Sequence, residues 1–321
     1  MPLLDIQHLR IEFVQGRKRL VALDDVSLAI DPEEVLGVVG ESGAGKSLTA
    51  MSVIGLLNPP ATVTRGQITI DGRRSDNLTD RQLRRIRGKI VGAVFQESLT
   101  SLNPLYTIGR QLVQTICVHS DLTARAARGR AVDLLAEFGL STPERQLDAY
   151  PHQLSGGMRQ RVVIALAVCA NPRLLIADEP TTALDVSTQA QILAVLRRLR
   201  REYRTAIMLI THDMGVIAEM ADRVAVMYAG RIVEDAPVRE VVAHPQHPYT
   251  AALIGAIPRL RRQVGRLTRI DGAMPPLSAL PRGCAFHPRC PKAFARCREE
   301  RPPMLSSGGG RAACWLFDGN G

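Results

Sequence analysis

From Val35 to Val39 the chain reads VLGVV, an apolar run without a polar break, as expected of a parallel strand buried on both faces. Similar runs recur at 173–178 (RLLIAD), 205–211 (TAIMLIT) and 223–230 (RVAVMYAG). The segments between them carry apolar residues at helical spacing: 47–57 (SLTAMSVIGLL), 187–203 (STQAQILAVLRRLRREY) and 214–221 (MGVIAEMA). Buried strands alternating with amphipathic helices predict an α/β fold, a parallel sheet with covering helices.

Three stretches depart from that rhythm. Residues 3–13 and 20–30 alternate apolar with polar around a QGRKR turn, and 61–72 (ATVTRGQITIDG) ends in an Asp-Gly turn, so an antiparallel β subdomain is expected. A charged helix should start at Thr79, and 89–96 (KIVGAVFQ) should be a buried strand ending on Gln96. From about 97 to 171 the pattern is helical, with an amphipathic helix over 124–139 closed by Gly139 and another over 159–170 stopped by Asn171-Pro172. After 245 prolines recur and arginine is dense, which predicts an irregular C-terminal extension with one helix near 248–257. The domain reading is thus 1–245 with a helical insertion, then 246–321.

Composition changes this picture little. Hydrophobic content of 45% and charged content of 22% are those of an ordinary globular chain of 321 residues. No apolar stretch approaches the ~18 residues of a membrane-spanning helix, and MPLLDIQHLRIEF lacks the character of a secretory signal, so a cytosolic chain is expected. The net charge of +10 would suit nucleic acid or an anionic membrane. The arginines are scattered without interleaved aromatics, however, and a solvated basic surface is the favoured reading, with no nucleic-acid partner. Cys117 and Cys169 sit in apolar helical patterns as packing residues, whereas Cys284, Cys290, Cys297 and Cys314 crowd into the last forty residues.

The chemistry centres on Gly40, Glu41, Ser42, Gly43, Ala44, Gly45, Lys46 and Ser47, which fit the phosphate-loop pattern G-x-x-x-x-G-K-[ST]. Glycines let successive N–H groups point at a phosphate, and the helix that follows aims its positive end at the same anion. Lys46 can reach the outer phosphates, and the Ser47 hydroxyl can ligate Mg²⁺. In LLIADE the strand ends on Asp178 and Glu179, the first suited to Mg²⁺, the second to polarising a water for in-line attack; a carboxylate pair capping a helix is the bland alternative. His212 also ends a strand, and packing or catalysis are equally open to it on geometry alone. In LSGGMRQR, Ser155, Gly156 and Gly157 open a helix whose N-terminus could receive an anion, or simply be capped.

Taken in order, the phosphate loop, Gln96, LSGGMRQR, LLIADEPT, Ala183 to Asp185 and His212 resemble the ATP-binding subunits of ABC transporters, over residues 1 to about 245. The resemblance implies that Ser155 to Gly157 of one subunit close over the γ-phosphate held by the phosphate loop of its partner. It further implies that Gln96 senses Mg²⁺ and the attacking water, that Asp185 lies at the dimer interface and that His212 contacts the γ-phosphate. Phe13 matches the aromatic that stacks on adenine, although a strand aromatic serves equally as core.

The last part narrows the resemblance. HPYTAALIGAIPRL and the following C-x5-C-x6-C-x16-C are similar to the extension of oligopeptide and dipeptide importer ATPases, a subfamily with nickel and antimicrobial-peptide relatives. ESLTSLNPLYTIGRQL and YPHQLSGGM point the same way. In some members the four cysteines hold a [4Fe–4S] cluster; four thiols in a cytosolic chain favour metal over disulfides, and the missing C-x-x-C weakens zinc, with free thiols still open. His287 between them is read as packing or surface. The resemblance implies ATP and Mg²⁺ as cofactors. It implies two transmembrane permease subunits contacted through 97–111, a homologous second ATPase, an extracytoplasmic binding protein and a place on the cytoplasmic face of the membrane. A non-transport ABC ATPase on nucleic acid is the distant competitor.

Overall fold

The computed structural model describes residues 1–96, 101–182, 184–256 and 270–318. It is a mixed α/β protein with antiparallel and parallel sheets, divided into two units. The first comprises Met1–Ile30, Val35–Asn77 and Leu209–Gly321, the second Asp31–Glu34 and Leu78–Met208.

In the first unit β1 (Leu4–Gln15) and β2 (Lys18–Ile30) form an antiparallel hairpin, and β3 (Val35–Val39) is buried at every position. The helix α1 (Lys46–Val53) follows the phosphate loop and is shorter than its apolar pattern suggested. Then β4 (Ala61–Ile70) pairs with β1, and β5 (Arg73–Arg74) returns across the Asp71-Gly72 turn, giving the order β2-β1-β4-β5 of the expected antiparallel subdomain.

The second unit continues with α2 (Asp80–Leu83), where the Thr79 N–H donates to Gln82 Oε1 at 2.9 Å as a capping box requires. The short strand β6 (Val91–Val94) precedes the helical stretch α3 (Ile108–His119), α4 (Ala124–Glu137), α5 (Pro143–Asp148) and α6 (Gly156–Val168). Ala127, Ala131, Leu134 and Leu135 make the fully buried stripe of α4, and Gly139 ends it at φ +73°. Next come β7 (Leu174–Asp178), α7 (Val186–Tyr203) and β8 (Ala206–Ile210). β6 and β7 pair in parallel, Val91 opposite Leu174 and Val94 opposite Ala177.

Back in the first unit, α8 (Met214–Met220) is capped by Asp213, and β9 (Arg223–Tyr228) runs parallel to β3, Val39 opposite Val226. The C-terminal part is more regular than its prolines implied. β10 (Arg231–Pro237) folds back on β9, α9 (Val238–Ala243) and α10 (Pro248–Gly255) follow, and then α11 (Ala295–Glu299). A hairpin of β11 (Leu305–Ser307) and β12 (Gly310–Ala312) pairs onto β10, giving the order β11-β12-β10-β9-β3. These strands of three residues are too short to show alternation, which is why periodicity missed them.

A small aromatic core holds this part together. The Phe286 ring lies 5.3–5.8 Å, centroid to centroid, from Tyr228, Tyr249 and His247, and Tyr228 lies 4.6 Å from Tyr249, in tilted and edge-on arrangements. The chain has few aromatics, so this concentration marks the place where the extension is anchored to β9.

Candidate functional site

In the first unit β3 delivers the chain into the phosphate loop. Gly45 lies at φ +105°, where a Cβ would stand 2.4 Å from Leu23 Cδ2, so neither the backbone nor the space admits another residue. Lys46 is buried and donates from Nζ to the carbonyls of Gly40 (2.7 Å) and Glu41 (3.1 Å). Ser47 opens α1 beside it. Ser42, Gly43 and Ala44 form the turn between, with the Ala44 N–H donating to the Glu41 carbonyl at 3.1 Å. The Thr211 N–H donates to the Val38 carbonyl at 3.2 Å, which sets His212 alongside the end of β3; the His212 side chain is exposed. Phe13 is half-buried on β1, two residues beyond the fully buried Ile11.

In the second unit the buried strand β7 ends on Asp178, which is 2% exposed. Glu179 follows in a left-handed conformation, φ +50°, a geometry costing a non-glycine residue roughly 1–2 kcal/mol. Two bonds meet on its Oε2: Gln96 Nε2 at 3.1 Å and Thr182 Oγ1 at 2.7 Å. The carboxylate is thereby aimed by a group past the end of the neighbouring strand, β6. The helix α6 is tied to the same turn, because the buried Gln160 donates from Nε2 to the Pro180 carbonyl at 2.8 Å. Gln160 and Thr182 were not singled out by sequence reasoning; their signal was only their place inside LSGGMRQR and LLIADEPT.

Ser155 caps α6, its hydroxyl accepting the Met158 N–H at 3.3 Å. The two glycines after it differ. A Cβ at Gly157 would stand 2.5 Å from Thr188 Cγ2, whereas one at Gly156 would meet nothing within 4 Å. Gly157 thus permits close packing on α7, and Gly156 leaves bare backbone facing outward at a helix N-terminus. Asp185 caps α7, accepting the Thr188 N–H (2.9 Å) and hydroxyl (2.7 Å), and these bonds lower its pKa. Ala183 and residues 97–100 of the expected permease contact lie outside the described residues, as do 257–260 of the HPYTAALIGAIPRL stretch.

The HPY start of that stretch has a clear physical role. His247 is 1% exposed; its Nδ1 accepts the Tyr249 N–H at 3.1 Å and its own N–H donates to Glu234 Oε2 at 2.8 Å. Burial lowers its pKa to about 3, so the ring is neutral.

Cys284, Cys290, Cys297 and Cys314 line one small cavity with His247, His287 and Trp315, and all are free thiols. Burial raises the pKa of Cys284, Cys290 and Cys314, the last to about 11. Among the described residues no group of three or more His, Cys, Asp or Glu side chains is arranged to hold a metal ion. The expected iron–sulfur ligand set therefore converges on one place without a ligating arrangement of its thiols. The His287 ring is engaged within its own loop, with Nδ1 2.9 Å from the Cys284 carbonyl. Among the described residues no helix is long and apolar enough to cross a membrane.

Comparison with known proteins gives a consistent result. The ABC transporter family profile matches residues 23–182, and that of the oligopeptide/dipeptide transporter C-terminal region matches 233–297. The oligopeptide transport ATP-binding protein AppD of Bacillus subtilis is 43% identical over 99% of this chain and 98% of its own length. A Brucella melitensis protein named "putative peptide import ATP-binding protein" is 46% identical over 95% of this chain and 94% of its own length. Among solved structures, the ATP-binding cassette MJ0796, a dimer in a post-hydrolysis state with ADP and Pi, superposes with TM-score 0.66 at 30% identity, covering 74% of this chain and 99% of that one. The cbiO1 subunit of the Clostridium perfringens cbiONQ transporter gives 0.65 at 26% identity, covering 76% and 91%.

Proposed function

Since the chain belongs to the ABC transporter ATP-binding family and carries the oligopeptide/dipeptide C-terminal region, we propose that it is the ATP-hydrolysing subunit of a di- or oligopeptide importer. The reading is carried by one observation: relatives alike over nearly their whole length, extension included, bear the names "oligopeptide transport ATP-binding protein" and "putative peptide import ATP-binding protein". Nickel, antimicrobial-peptide or other small-solute import shares the mechanism and differs in cargo.

In this reading the amides of Gly40 to Ser47 and the Lys46 ammonium bind the phosphates, and Phe13 stacks on adenine. Ser47, Asp178 and Gln96 offer hydroxyl, carboxylate and amide oxygens, a hard donor set that suits Mg²⁺, and the ion when bound would neutralise charge developing on the phosphates. Glu179, aimed by Gln96 and Thr182, polarises the attacking water, and His212 contacts the γ-phosphate. The bare N-terminus at Ser155, Gly156 and Gly157 closes over the nucleotide of a homologous partner subunit, with Asp185 at that interface. ATP-driven dimerisation then works two permease subunits at the cytoplasmic face of the membrane, supplied by an extracytoplasmic binding protein.

The four cysteines lining one cavity are proposed as the ligands of a [4Fe–4S] cluster, which would supply a rigid cross-link at that place. Brown colour and visible absorbance in anaerobically purified protein support it; a colourless protein with stoichiometric zinc, or with no metal, overturns it. The transport reading is tested by co-purification with two permeases and by ATP turnover in proteoliposomes that rises with peptide-loaded binding protein. Failure to associate with any permease would sink it.

A further inference from the structure

Glu41, the second residue of the phosphate loop, is held through three of its groups: carbonyl, backbone N–H and carboxylate. Its carbonyl accepts Lys46 Nζ at 3.1 Å. Its N–H donates to the hydroxyl of Tyr249, 208 residues away, at 2.8 Å. Its carboxylate takes a bidentate pair from Arg289, Nη1 to Oε2 at 2.8 Å and Nη2 to Oε1 at 2.9 Å. Arg289 spends its other donors on the carbonyls of Asp271 (2.9 Å) and Gly272 (3.2 Å) and the Tyr228 hydroxyl (3.3 Å), so all five N–H groups are used. Its side chain is 6% exposed against 26% for Glu41. The same extension covers the next turn of the loop: a Cβ on Gly43 would meet Met274 Cε at 3.1 Å.

A carboxylate in a loop built to receive a polyphosphate works against its ligand unless its charge is cancelled. A buried, fully hydrogen-bonded guanidinium in fork geometry cancels it and fixes the side chain at once. We propose that Arg289 is a positioning residue for nucleotide binding, acting through Glu41: it neutralises that carboxylate and, with Tyr249, holds the loop in the shape that receives phosphate. The C-terminal extension is then part of the nucleotide site. The inference rests on the ATPase reading above.

The test measures ATP KM and kcat of the full chain in its transporter assembly, with binding of a fluorescent ATP analogue as a second readout. Arg289→Gln should raise KM and weaken analogue binding about 10-fold, the scale of one lost charge-assisted bond, with kcat nearly unchanged. Adding Glu41→Gln should restore most of that loss, because the uncancelled charge is gone. A double variant as poor as Arg289→Gln would show mere support of the fold and overturn the proposal, as would unchanged affinity in the single variant. Should Arg289→Gln fail to fold, Glu41→Gln alone decides: affinity at or above the parent's is expected, and a 10-fold loss overturns the idea. Absence of ATP binding in the unaltered chain would instead reject the ATPase reading.

Discussion

Gln96 and Glu179, 83 residues apart, meet through a 3.1 Å bond from Nε2 to Oε2. The bond holds the carboxylate in its left-handed turn and presents it as an acceptor, the state a water-polarising base requires. Glu179→Gln should leave MgATP binding intact and lower phosphate release by roughly 10²–10⁴-fold. It should also trap an ATP-dependent dimer visible by gel filtration, and hydrolysis at the parent rate would exclude the assigned role.

The contrast between Gly156 and Gly157 gives a second prediction. Gly157→Val drives side-chain atoms into Thr188 and should shift α6 against α7. Gly156→Ala meets nothing in the folded chain, so its effect should appear only in ATP-dependent dimerisation, with the melting temperature unchanged. A drop in monomer stability from Gly156→Ala would argue against an outward-facing role.

Acid should loosen the extension through His247. The unfolded side chain titrates near 6.5, the folded one near 3, so the unfolded chain binds the proton first as pH falls. Stability from the neutral ring is complete above about pH 6.5 and is lost progressively toward pH 3, on the order of 2 kcal/mol by pH 5. Urea titrations at pH 7.5 and 5 should show this loss in the parent and a clearly smaller one in His247→Gln.

Phe286 is 2% exposed and touches Tyr228, Tyr249 and His247. Phe286→Ala should cost about 3–5 kcal/mol, because the rings around it cannot collapse fully into the gap. Because Tyr249 also holds the Glu41 N–H, the same variant should bind ATP more weakly, and calorimetry on the purified protein reads both effects. A melting temperature equal to the parent's would contradict this packing.

The strands around the phosphate loop were legible because each is an unbroken apolar run, and α4 because its buried residues repeat at helical spacing. Asp178, Glu179 and Gln96 could be picked out because each stands just where such a run stops. The hairpin β11–β12 was not legible: strands of three residues in a proline-rich stretch carry no period. Nor was Arg289, one arginine among many in a basic region, whose partner is fixed only by folding. The cysteine spacing suggested four ligands, and the fold does gather all four thiols at one cavity, though without an arrangement among the described residues that holds a metal ion; spacing encodes the gathering, not the side-chain geometry.

The pairing of Arg289 with Glu41 spans 248 residues, and synthesis proceeds from the N-terminus. The phosphate loop therefore leaves the ribosome well before its counter-charge, which follows 248 residues later. A nascent or prematurely terminated chain would hold the whole ATP-binding motif with an uncancelled carboxylate inside it. Such a chain should compete poorly for cellular ATP, so that nucleotide is taken up efficiently only once synthesis has passed Arg289.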